Sequence, residues 1–251
     1  MKRPEKAPFL LKGSVATASL VAGIMNAKYV NGMPLARQER EFARYGLTLS
    51  TKTMADWIIQ CAGRYLQPLY ELMKEELLRS QYLHGDETRM QVLGEPGLKA
   101  STQNWMWVYL TGAYSGSPRI VLFAYERTRG GYHLVEFLGD QFQEYFTCDG
   151  YQAYNSLPEK VTVTGCMAHA RRRFDEALTA LKKDFTKEQI KETTAYQAMA
   201  RIGMLYKIEE MIRGMSPEER YEERQKQAKP LLEAFFGWLH KLEGSVDPVL
   251  L

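Results

Sequence analysis

Apolar positions along this chain change their period twice. In "TASLVAGIMNAKYV" (17–30) they recur three and four residues apart, as on one face of a helix. "PLARQEREFARYG" (34–46) keeps that spacing. It opens on Pro34, whose fixed φ suits a first turn, and stops at Gly46, a natural C-terminal cap. A third helical run, "LSTKTMADWIIQCAGRYL" (49–66), has Ser50 in place to cap it. Two short helices joined by "YGLTLS" (45–50) have the outline of a helix-turn-helix. From residue 82 the runs become short, β-branched and aromatic: "YLHGDETRMQVL" (82–93), "NWMWVYLTGAY" (104–114), "RIVLFAYER" (119–127), "EYFTCDGY" (144–151) and "KVTVTGCM" (160–167). A helix-like segment, "GGYHLVEFLGDQF" (130–142), separates the third from the fourth. From residue 168 the helical period returns and holds to "FFGWLHKLEG".

The expected element order is therefore helices, then β-β-β-α-β-β, then helices. Three strands in succession predict a meander, and the later crossover predicts parallel pairing, so the sheet should be mixed and the fold α/β. Along the chain this gives a basic tail or linker at 1–15, a helix-turn-helix-like region at 16–80, a sheet-containing core at 81–181 and a helical segment at 182–251.

Composition changes this picture little. Of 251 residues, 45% are hydrophobic and 25% charged, which excludes a wholly disordered chain. A net charge of +3 permits a nucleic-acid partner without demanding one. Three scattered cysteines offer no disulfide framework and suit a reducing compartment. No signal peptide is visible, and no apolar run nears the ~20 residues of a membrane span.

Charge enters where a strand should bury side chains. Asp86 falls in the first strand and Asp149 at the end of the fourth, and these strands are neighbours in a sheet of this order. Two carboxylates brought to one sheet edge repel, and a divalent cation between them removes the conflict. Hard oxygens suit Mg²⁺ or Mn²⁺. The plainer reading is that each acid shapes a turn, Asp149 by opening "DGY". Glu87 should point to the opposite face from Asp86. His169 and Arg171, Arg172 and Arg173 begin the helix after the fifth strand, where arginine forks suit phosphate. A solvated charge run paired with Asp175 and Glu176 is the alternative. The start of the third N-terminal helix offers Thr51, Lys52 and Thr53 to DNA, unless the helices form an ordinary bundle. Cys166 and His169 have ligand chemistry, but two ligands do not make a zinc site.

"YLHGDETRMQVL", "TCDGYQAYN" and "GCMAHARRRFDEAL", with the N-terminal helical stretch, together resemble the insertion-sequence-66 family of DDE transposases over about residues 12–240. The resemblance implies a ribonuclease H-like core and Mg²⁺- or Mn²⁺-dependent cleavage and joining of DNA strands. It also implies binding to transposon-end DNA as a homo-oligomer, in a prokaryotic cytoplasm close to the nucleoid. Asp86 and Asp149 match the first two acids of the family's catalytic triad. The third acid belongs to a later segment with an Asn-Asn and a Glu-Arg pair, which this sequence does not show. Glu176 and Glu233 are acids in the following helices, but neither matches that motif. The family's zinc-binding segment upstream is not matched either. The expectation is a transposase core truncated before its third acid; the alternative is a remnant that binds DNA or a transposase partner without cutting.

Overall fold

The computed structural model describes residues 10–113, 116–181 and 185–243. These divide into two compact units. The first takes the described parts of Met1–Leu83, Glu87–Thr128 and Leu138–Glu144; the second takes those of His84–Asp86, Arg129–Phe137 and Tyr145–Leu251.

In the first unit, α1 (Ala18–Tyr29), α2 (Leu35–Arg44) and α3 (Thr51–Cys61) enclose a core that includes Val21, Ile24, Leu35, Met54 and Trp57. Gly46, at φ 77°, ends α2, and Ser50 caps α3 by accepting from the Thr53 amide at 3.1 Å. Buried Gln38 is satisfied by donating to the Ile24 and Met33 carbonyls at 3.2 and 3.0 Å, which ties α2 to the end of α1. The Glu39 carboxylate accepts from the Thr51 amide at 2.9 Å and from the Thr51 hydroxyl, so α2 supplies a second cap for α3.

The helix does not stop at Cys61. It continues through a wide π turn, Ala62–Leu66, into α4 (Gln67–Leu78). Pro68 explains the widening. It has no N–H to donate, and its ring crowds the carbonyl four residues back, so the preceding turn opens. The Gln67 amide reaches Ala62 O, five residues back. Tyr70 on α4 then donates to Phe123 O at 3.3 Å.

β1 (Tyr82–Gln91), β2 (Gln103–Thr111) and β3 (Val121–Glu126) follow as predicted. β2 and β3 pair antiparallel with Trp107 opposite Ala124. Glu95, in the turn between β1 and β2, accepts from Asn104 at 2.9 Å, from the Tyr125 hydroxyl, and from Arg127 at 2.6 Å. These bonds hold its carboxyl below the usual range.

The second unit contains α5 (Gly131–Leu138) as far as Phe137, β4 (Tyr145–Cys148), a 3₁₀ turn at Gln152–Ser156, and β5 (Thr162–Gly165). β4 and β5 are parallel, with Cys148 opposite Gly165. The strand order is β3-β2-β1-β4-β5, so β1 and β4 are neighbours and the five-stranded sheet is mixed, both as expected. α6 (Met167–Leu181), α8 (Thr194–Met211) and α10 (Lys229–Glu243) pack around Ala198, Ile202 and Phe235.

Within the helical period expected from residue 168 onward, "KEQIKETTAYQAMARIGMLYKIEEMIRG" (187–214) forms two helices, α7 (Lys187–Glu192) and α8. Thr193 is extended, at φ −69° and ψ 145°, and its hydroxyl caps α8 at the Tyr196 amide. After α9 (Pro217–Glu223) a second π turn, Arg224–Ala228, ends two residues before Pro230 and leads into α10. The cause is the one seen at Pro68. Among the described residues, no helix is long and apolar enough to cross a membrane.

Candidate active site

Asp86 is placed by its neighbour. Gly85 packs under the Phe146 ring, and a Cβ at that position would lie 2.2 Å from Phe146 Cζ. Phe146 is fully buried, so only glycine lets β1 keep this register. Side chains alternate along a strand, so Asp86 leaves from the other face. There its Oδ2 lies 3.6 Å from His169 Nε2, with the aspartate side chain 49% exposed and the histidine 25%.

His169 stands in the first turn of α6, its amide donating to Cys166 O at 3.1 Å. The Cys166 amide in turn donates to Cys148 O at 2.7 Å, which fastens the start of α6 to the end of β4. His169 Nδ1 is buried without a hydrogen-bond partner. Asp149 follows Cys148 directly. Its Oδ1 accepts from the Tyr151 amide at 2.9 Å, so Asp149 does shape the Asp-Gly turn. That bond occupies one oxygen of the carboxylate and leaves Oδ2 outside the turn.

Asp149 and His169 line one cavity of about 830 Å³, together with Cys166, Arg129, Arg173 and Tyr151. Arg129 stacks on the Tyr151 ring, its guanidinium carbon 3.5 Å from the ring centroid. Phe235, Phe236 and Leu239 of α10 form an apolar wall. The N-terminus of α6 adds its positive dipole end to this side of the second unit.

The sequence profile of the transposase IS66 family matches residues 13–249. The chain belongs to the transposase IS66 family. It is 30% identical to uncharacterized protein y4qI of Sinorhizobium fredii over 251 residues, which is 95% of this chain and 44% of that protein. Uncharacterized protein y4jD of the same organism is 28% identical over 261 residues, covering 98% of this chain and 48% of its own length. The chain thus spans less than half the length of these relatives. No solved structure matches it.

In this transposase-family chain the three arginines separate. Arg173, one helical turn beyond His169, lines the cavity, while Arg171 and Arg172 are exposed away from it. Glu176 and Glu233 are exposed, and neither lines the cavity. Among the described residues, no three His, Cys, Asp or Glu side chains group to hold a metal ion, and Cys166 with His169 remains a pair.

At α3, Thr51 is engaged by Glu39 and the Thr53 hydroxyl by Ser50 at 2.9 Å, while Lys52 is exposed. The Thr51 bonds hold the Glu39 carboxyl below its usual range. His84, two residues before Asp86 on β1, is pushed below the usual imidazole range by burial. Sequence reasoning missed Arg129, Tyr151 and Phe236. Tyr151 carried a weak signal as the residue closing the Asp-Gly turn; Phe236 lies far along the chain and carried none.

Proposed function

We propose that the sheet and α6 form a ribonuclease H-like core in which Asp86 and Asp149 hold Mg²⁺ or Mn²⁺ for cleavage and joining of DNA strands at transposon ends. The observation carrying this is local. His169 touches Asp86 and lines the same cavity as Asp149, and that cavity also holds Arg173 at the start of α6. The donors fit such an ion. Both are hard carboxylates, Asp86 is half exposed, and one Asp149 oxygen lies outside its turn. Magnesium sites commonly use one or two protein carboxylates and leave the remaining positions to water and phosphate. When bound, the cation supplies Lewis-acid stabilisation of charge on the phosphoryl oxygens.

The chain's own residues do the rest. His169 holds Asp86 in orientation. Arg173 and the positive end of α6 bind the phosphate, and Arg171, Arg172 and Lys52 neutralise neighbouring phosphates along the duplex. Two copies on two transposon ends would form the working complex.

The test is cleavage of transposon-end DNA in Mg²⁺ by the protein and by its Asp86→Asn and Asp149→Asn variants. Each substitution should lower the rate at least about a thousandfold, as for residues that act as a unit. Cleavage that survives both substitutions would overturn the site. A second reading, DNA binding without cutting, is favoured by the absence, among the described residues, of any group of three His, Cys, Asp or Glu side chains that could hold a metal ion, Asp86, Asp149 and His169 included. Salt-dependent DNA binding with no cleavage in either metal would decide for it.

A further inference from the structure

Asp149, His169 and Arg173 account for only part of the cavity they line, and Asp86 is not among its lining residues. A phosphate and a hydrated cation are served by charge, yet one wall is Phe235, Phe236 and Leu239. Phe235 is 3% exposed and belongs to the packed core of α8 and α10, whereas Phe236 is 51% exposed. Keeping an aromatic ring half in water is unfavourable for folding alone, by about 25 cal/mol for each Å² left uncovered. Near Asp149, the Arg129 guanidinium carbon sits over the Tyr151 ring, 3.5 Å from its centroid, and guanidinium and ring are both groups on which another planar group can stack. The volume, about 830 Å³, falls among pockets that enclose small organic ligands and exceeds what a phosphate alone requires.

A ligand that is anionic at one end and flat and aromatic at the other matches both walls. We propose that the cavity takes an unpaired nucleobase of the DNA strand, stacked against Phe236 and the Arg129–Tyr151 pair, while that nucleotide's phosphate lies toward Asp149 and Arg173. This rests on the DNA-strand reading above and names the subsite within it. Stacking of a base on an aromatic side chain is sequence-tolerant, because every base offers a π face. The subsite therefore fixes how a strand lies in the site without selecting its sequence.

The test compares two single strands with the same number of phosphates, octathymidylate and an abasic strand of eight tetrahydrofuran sugars, by fluorescence anisotropy with the full chain. Octathymidylate should bind roughly five- to a hundredfold more tightly. Phe236→Ala should reduce octathymidylate to the abasic level and leave abasic binding and its salt slope unchanged, while Phe236→Trp should restore the difference. Circular dichroism of the variants, whose substitution is at a half-exposed position, reports that the fold is intact. Equal binding of the two strands overturns the base subsite and leaves the DNA-strand reading standing. Binding of neither strand overturns both. Thymidine monophosphate that displaces octathymidylate at a similar concentration overturns the assignment to a strand, since the pocket would then be a free-nucleotide site.

Discussion

Gly85 shows how one side chain fixes the candidate site. Its hydrogen leaves room for the Phe146 ring, so Asp86 is turned to the face where His169 stands. Gly85→Ala should therefore destabilise the protein by about 1–3 kcal/mol through overpacking, measured by urea denaturation. Adding Phe146→Leu should recover part of that loss, and a Gly85→Ala variant as stable as the parent would contradict the packing. The acids that follow this glycine, Asp86 and Glu87, were legible from sequence because carboxylates inside a strand are conspicuous. The reason for the glycine was not, since Phe146 lies on another strand and only the sheet order brings the two together.

His84 adds a pH dependence at the same scale. Burial lowers its folded-state pKa, so the unfolded chain binds the proton first as pH falls. Its contribution is full above the unfolded value near 6.5 and is lost as pH falls toward the lowered folded value. A His84→Gln variant should show a flatter stability profile between about pH 7 and 5 in thermal melts.

Helices and strands were legible where local chemistry decides them. Ser50, Gly46 and the β-rich runs marked their elements, and the β-β-β-α-β-β order gave the neighbouring strands. The two π turns were not anticipated. Pro68 and Pro230 are visible in the sequence, but a proline inside a helical run can break, kink or widen it. Here the helix continues through both prolines and the turn before each one widens. Thr193 was missed for a related reason. A threonine is a weak signal until its hydroxyl is seen capping α8. Thr193→Ala should cost about 1 kcal/mol of stability by chemical denaturation, within the range for lost caps. The Glu39 bond to Thr51 predicts acid sensitivity for the three N-terminal helices. Its pKa is lowered on folding, so the stabilisation is present above the unfolded value of 4.5 and is lost as pH falls through the folded value. Glu39→Gln should remove that part of the acid transition in circular-dichroism melts.

At the scale of the molecule, a chain of the transposase IS66 family carries a mixed sheet, and Asp86, Asp149 and the arginine-bearing helix α6 fall in one compact unit. Family membership was legible because three motifs had to coincide; the apolar side of the cavity was not, because α10 follows β4 by some eighty residues. Replacing Arg171, Arg172 and Arg173 together by Ala should flatten the slope of log affinity against log salt for duplex DNA by roughly one unit per lost phosphate contact, and an unchanged slope would make the run a solvated face.

The central claim is that Asp86 and Asp149 hold one cation site, and Mn²⁺ titration followed by electron paramagnetic resonance tests it most directly, with a short DNA duplex present. Asp86→Asn and Asp149→Asn should each weaken Mn²⁺ binding at least about tenfold, while Glu176→Gln and Glu233→Gln leave it unchanged. Binding that survives either aspartate substitution, or that is lost with either glutamate, would contradict the account.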